Sequence, residues 1–116
     1  MGEKTLLMTM LLDFYGELLT ERQRSCFSMH YNEDFSLAEI AEVMNISRQG
    51  VRDLIVRAEA TLTETEEKIG LLKRFSERSS ITEKMAAELD ELLQLTNGRA
   101  QELAQNIAAE LESIRN

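Results

Sequence analysis

The chain contains no proline, and it has a single cysteine and a single histidine in 116 residues. Without proline, no helix is forced to kink and no turn is fixed by a locked φ. One cysteine, Cys26, excludes an internal disulfide, and a lone thiol suits a reducing cytoplasm. One histidine, His30, with no cysteine or carboxylate cluster at ligand spacing, leaves no zinc site to assemble. There is also no second histidine and no glycine-rich phosphate loop, so no catalytic constellation forms, and neither an enzyme nor a cofactor is expected. Cys26 lies on a helical apolar face and reads as a small core residue rather than a nucleophile. No stretch is long and apolar enough to cross a bilayer, and no basic segment leads into an apolar run at the amino terminus. The expectation is a cytoplasmic protein with no membrane insertion.

Alternating, β-branched strand patterns are absent too. What is present is apolar residues at spacings of three and four along most of the chain, which gives an all-α fold. Residues 4–19 place Leu7, Met10, Leu11, Phe14, Tyr15 and Leu18 on one stripe, with Gly16 near the helix end. Thr20 opens "TERQ", a capping box with Gln23, and predicts a helix from about Glu21 to Tyr31 with Cys26, Phe27 and Tyr31 inward. "NEDFS" is a polar turn. Ser36 and Glu39 form a second capping box, and the third helix covers Leu37 to Met44. "NIS" makes a short turn and Ser47 caps a fourth helix.

Beyond Arg57 the stripe continues through Ala58, Leu62, Ile69 and Leu72. Either one long helix results, or a new one starts at Thr61 or Thr63. "ERSSITEK" predicts a further start, boxed by Ser80 and Glu83, with Met85, Leu89, Leu92 and Leu93 inside. Asn97 and Gly98 end that helix, and a last one carries Leu103, Ile107, Leu111 and Ile114. The organisation expected is a helix-turn-helix domain over residues 1–62 and a helical carboxy-terminal extension over 63–116. The extension offers more apolar face than the small domain needs. It pairs two copies into a homodimer or docks within one chain.

"MNISRQGVRDLI", residues 44–55, carries the motif. Leu37, Ile40 and Met44 form the inner face of one helix, and Val51 and Leu54 that of the next. Ala41 is small where the helices approach, Asn45 tolerates the positive φ that the turn requires, and Ile46 plugs it. Ser47, Arg48, Gln49, Arg52, Asp53 and Val56 remain outside, on the side that enters the major groove in such motifs. Arg48 or Arg52 suits guanine O6 and N7, Gln49 suits adenine N6 and N7, and Asp53 suits the cytosine amine or orients Arg57. Ser36, Arg22, Arg24 and Arg57 are candidate phosphate contacts, the serine through a helix amino terminus.

Charge cuts against this reading. The net charge is -8, spread as -2 over residues 1–19, -2 over 20–62 and -4 over 63–116. The five arginines of residues 20–62 either form a local basic face or pair with nearby glutamates. The acidic pairs Glu33–Asp34 and Glu66–Glu67 read as solvated charge.

Residues 18–62, "LLTERQRSCFSMHYNEDFSLAEIAEVMNISRQGVRDLIVRAEATL", resemble the fourth region of bacterial primary sigma factors, which recognises the promoter's -35 element. Gly50 stands where sigma factors usually carry another basic residue, and Asp53 puts a negative charge on the reading face. "LLDFYGELLTERQ", "NEDFSLAEIAE" and "SRQGVRDLIVRAE" are similar to the YlxM-type helix-turn-helix proteins of Gram-positive bacteria over essentially the whole length. That family is usually encoded beside the signal recognition particle GTPase. The resemblance therefore implies a regulatory protein that binds double-stranded DNA, linked to signal recognition particle components. The alternative is a protein-interaction or RNA-binding accessory that retains the fold without reading DNA.

Overall fold

The computed structural model describes residues 2–115. Six α-helices follow one another, with no strand among the described residues: α1 (Glu3–Tyr15), α2 (Glu21–Tyr31), α3 (Leu37–Met44), α4 (Arg48–Ile69), α5 (Leu71–Leu95) and α6 (Gly98–Arg115). A single 3-10 turn, Gly16–Leu18, links α1 to α2. The chain divides into two compact units, Met1–Leu72 and Lys73–Asn116.

In the first unit α4 is the hub, packed against α1, α2 and α3. Its inward residues Val51, Ile55, Ala58 and Leu62 recur every three or four positions and are all buried. Phe27, Leu11, Ile40, Leu62, Val51 and Cys26 are fully enclosed. The Cys26 thiol donates weakly to the Val51 carbonyl at 3.7 Å. Both capping boxes form: Thr20 and Gln23 exchange bonds at 3.0 and 3.1 Å, and Ser36 and Glu39 do so at 3.1 Å.

The motif turn closes as the spacing demands. Asn45 takes φ 57°, ψ 46°, and the Ile46 and Asn45 amides return to the Ala41 and Glu42 carbonyls at 3.1 and 3.3 Å. Ala41 sits half-buried against the core at this crossing. Ala41→Leu is expected to destabilise the unit by roughly 1–3 kcal/mol through overpacking, read as a lower melting temperature. An unchanged melt contradicts the placement of Ala41 at the crossing.

Three local expectations change, and the open choice at Thr61 and Thr63 is decided. α1 buries Met8, Leu11 and Tyr15, while Leu7, Phe14 and Leu18 are exposed. "LLMTMLL" is apolar all round, so its periodicity selects no face, and the 3-10 turn swings Leu18 out and Leu19 in. α4 continues through Thr61 and Thr63 and ends only where Gly70 takes φ +68°. The Thr65 hydroxyl donates back to the Thr61 carbonyl at 2.6 Å instead of opening a new helix. α5 runs straight through Ser80, which therefore caps nothing. In α5 and α6, Met85, Leu92, Leu103, Ile107 and Ile114 are exposed, and Ala104 and Leu111 are the residues that α6 buries.

Glu66 is not solvated charge. Its carboxylate accepts from the Tyr15 hydroxyl at 2.6 Å and from the Leu72 amide at 3.0 Å, and the Tyr15 oxygen accepts from the Leu71 amide at 3.0 Å. Tyr15 and Glu66 together satisfy amides of the opening turn of α5. A second clamp joins Tyr31 to Glu59, whose carboxylate also meets Lys4 Nζ at 3.7 Å. Burial, and then the facing carboxylates, raise both phenols above their usual 10.0, and burial raises the Cys26 thiol above 9.0. Groups whose native pKa is raised stabilise the fold fully below their unfolded values and lose that contribution as pH rises. The urea midpoint is therefore expected to hold from neutral pH to about 9 and to fall increasingly above about 10. A midpoint unchanged well past the phenol range contradicts the two clamps.

Candidate nucleic-acid interface

The first turns of α4 are built around Ser47. Its hydroxyl accepts from the Gly50 amide at 3.0 Å, fixing the helix start and leaving the first amides pointing outward. A Cβ at position 50 would lie 3.2 Å from Ser47 Oγ, so glycine suits the tight cap even though it places no cation there.

Val51, Ile55 and Ala58 are buried, so the opposite side of the helix must face solvent. Arg48, Gln49, Arg52, Asp53, Val56 and Arg57 are all exposed there. Arg48 and Arg52 stand one turn apart, as do Gln49 and Asp53. The latter pair is joined: the Gln49 side-chain amide donates to Asp53 Oδ1 at 3.0 Å. One Gln49 proton and one Asp53 oxygen are thereby engaged, while the Gln49 carbonyl and the other Asp53 oxygen keep their capacity as acceptors.

Arg22 of α2 and Arg57 border one shallow groove of about 270 Å³, whose floor is Ile46, Gly50 and Leu54 and whose rim includes Asp53. Arg24 borders a different depression, lined by Ser28, Met29, Phe35 and Val43 with Glu21 and Glu33 beside it. The structure thus brings Arg22 and Arg57 to the α4 face and leaves Arg24 away from it. Ser36 is exposed, but its hydroxyl and amide are both held in the capping box.

Asp53 and Arg57 form no ion pair, although they lie one turn apart. Among the described residues, none of Arg22, Arg24, Arg48, Arg52 and Arg57 has a carboxylate within 4.0 Å. Carboxylates that do meet a cation at that distance include Glu59, Glu88, Glu102 and Glu112, whose partners are Lys4, Lys84, Arg99 and Arg115. The alternative of arginines neutralised by neighbouring glutamates is therefore not what the side chains do. Among the described residues, no cluster of three metal-ligating side chains exists either. His30 is used for packing, its ring edge-on to Tyr31 at 4.7 Å.

Reading from sequence missed the Tyr15–Glu66 and Tyr31–Glu59 clamps. Their partners are 51 and 28 residues apart, and no local spacing connects them. They hold α1 and α2 on α4 and so set where Arg22 stands relative to Arg48, Arg52 and Arg57.

Two packed helices joined through a left-handed asparagine, the second with one face exposed, define a helix-turn-helix protein. Residues 2–107 match the family described as "Putative helix-turn-helix protein, YlxM / p13 like", and the chain belongs to that family. A UPF0122 protein of Halalkalibacterium halodurans is 51% identical over 90 residues, covering 78% of this chain and 83% of that one. A UPF0122 protein of Thermoanaerobacter sp. strain X514 is 54% identical over 77 residues, 66% of each chain. Another, from Bacillus cereus strain AH187, is 50% identical over 91 residues, 78% of this chain and 83% of its own. Among the described residues, no helix is long and apolar enough to cross a membrane.

Proposed function

We propose that the amino-terminal unit is a sequence-reading DNA-binding module and that the protein acts as a regulator rather than an enzyme. The first turns of α4 enter the major groove, presenting Arg48 and Arg52 to guanine edges and Gln49 and Asp53 to bases with an exocyclic amine. Arg22 and Arg57 meet backbone phosphates beside it, and the Ser47 helix start adds outward amides. The observation that carries this reading is the set of exposed arginines on and beside α4, none of which has a carboxylate within 4.0 Å among the described residues. An acidic chain remains compatible with it. At physiological salt the field of remote carboxylates is screened over about 8 Å, so a local cluster dominates at contact. The overall negative charge would then suppress non-specific binding. One module reads few bases, so two copies acting on paired half-sites complete the reading.

A second reading rests on the Gln49–Asp53 pair. A carboxylate held at the centre of the face repels phosphates and suits a protein or RNA partner. The resemblance to YlxM-type proteins makes the signal recognition particle GTPase and its RNA the partners to try.

Selection from random duplexes with the full chain tests the choice. The DNA reading expects enrichment of a defined motif. Absence of enrichment, with only weak binding erased by salt, contradicts it; binding to the GTPase or its RNA would then establish the second reading.

A further inference from the structure

The second unit does not complete its own core. It holds the rest of α5 and all of α6, joined at Thr96 and Asn97 with Gly98 at φ +62°. The Gln101 side-chain amide ties the junction by donating to the Leu93 and Thr96 carbonyls, each at 3.1 Å. The helices thus form a hairpin, and a hairpin of two helices hides only one flank of each. Ala104 and Leu111 are its buried residues. Met85, Leu89 and Leu92 of α5 and Ile107 of α6 line an open apolar groove of about 360 Å³ with Glu88 on its rim. Ile81 and Ile114 stand further along the two helices at 59% and 73% exposure. On α5 the series Thr82, Met85, Leu89 and Leu92 repeats at three and four, the spacing of a helix-bundle seam.

Charge along α5 specifies what fits. Residues 73–84 hold four basic and two acidic side chains, and residues 85–95 hold three acidic and no basic ones. A helix with that polarity is complemented by its own reverse. A second copy running antiparallel sets each basic half beside the partner's acidic half and brings Arg74 and Arg78 of one chain toward the Glu88 end of the other. The contact is isologous, the same patch serving both chains about a two-fold axis. We infer that the α5–α6 groove face is closed by the same face of a second copy, with the two α5 helices antiparallel and the axis near residue 84. The result is a four-helix bundle that covers Met85, Leu92 and Ile107. This deepens the two-copy element of the DNA reading by naming its surface and orientation, and it stands on the second unit alone.

Sedimentation of the full chain at micromolar concentration is expected to give a dimer. Leu92→Glu, which puts a carboxylate on the groove floor, is expected to give a monomer with helical circular dichroism retained. Should that variant unfold, Arg74→Glu with Arg78→Glu alters only the charged flank. It weakens the dimer at low salt, and adding Glu88→Lys with Glu91→Lys in the same chain restores it. Orientation is read from spin labels at Ser80→Cys or Gln94→Cys, the native Cys26 being fully buried. At 1.5 Å rise per residue, labels at 94 lie about 30 Å apart in the antiparallel pair and labels at 80 under about 20 Å. Equal short separations at both positions overturn the antiparallel arrangement. A monomeric wild type, or a dimer indifferent to Leu92→Glu and to the charge reversals, overturns the surface. A monomeric wild type that still enriches a DNA motif overturns this inference and leaves base reading intact. A dimer of this geometry that enriches no motif does the reverse.

Discussion

Phe27→Ala is expected to cost about 3–5 kcal/mol of unfolding free energy. Phe27 is fully enclosed, its ring 4.7 Å from that of Tyr31, on the helix that α4 packs against most closely. Removing the ring loses its transfer energy and leaves a cavity that the neighbouring helices cannot readily close, because the Tyr15–Glu66 bond holds α1 to α4 and the Tyr31–Glu59 bond holds α2 to α4. Domains of this size have roughly 5–15 kcal/mol in total, so the loss is a large share of what holds the unit folded. Urea denaturation at neutral pH measures it. Val43→Ala is the comparison: Val43 is 63% exposed, and its truncation is expected to fall within about 0.5 kcal/mol of wild type. A Phe27→Ala loss no larger than that contradicts the core as described.

The sequence is legible where one residue type meets one local demand. Thr20, Ser36 and Ser47 each stand three residues before the amide that needs them, and Asn45 stands where φ must be positive, so α2, α3 and the start of α4 follow directly. Legibility fails where several residues satisfy the same demand. The "LLMTMLL" stretch of α1 offers apolar residues all round, and only tertiary packing chooses Met8 over Leu7. Ser80 and Glu83 have the capping spacing, but α5 has no break for them to cap. Glu66 looks like surface charge until Gly70 turns the chain and lays the α5 amides beside it. At the candidate interface, exposure of Arg48 and Arg52 follows from the burial of Val51 and Ile55. The Gln49–Asp53 bond is local to α4, one turn apart, whereas the grouping of Arg22 with Arg57 and the separate position of Arg24 depend on the packing of α2 against α4.

Arg52→Ala is expected to weaken binding to the selected duplex by roughly 1–3 kcal/mol, about 5–150-fold. Its effect should concentrate on that duplex, because a bidentate contact to a base edge is lost only where the right base is present. Arg57→Ala has a different signature. If it meets phosphate, it weakens every duplex alike and lowers the salt slope by about one ion. Titrations of a selected and a scrambled duplex at several salt concentrations separate the two. Equal losses on both duplexes for Arg52→Ala would make it a phosphate contact and remove it from the reading face. Arg24→Ala serves as a control: its depression lies away from α4, and the expected change on either duplex is small.

The most direct measurement repeats the selection with Arg52→Ala and compares the enriched motif with that of the wild-type chain. If the first turns of α4 read bases, the variant loses preference at one position of each half-site and keeps the rest. An unchanged motif, enriched as strongly as before, contradicts the assignment of base reading to this face of α4.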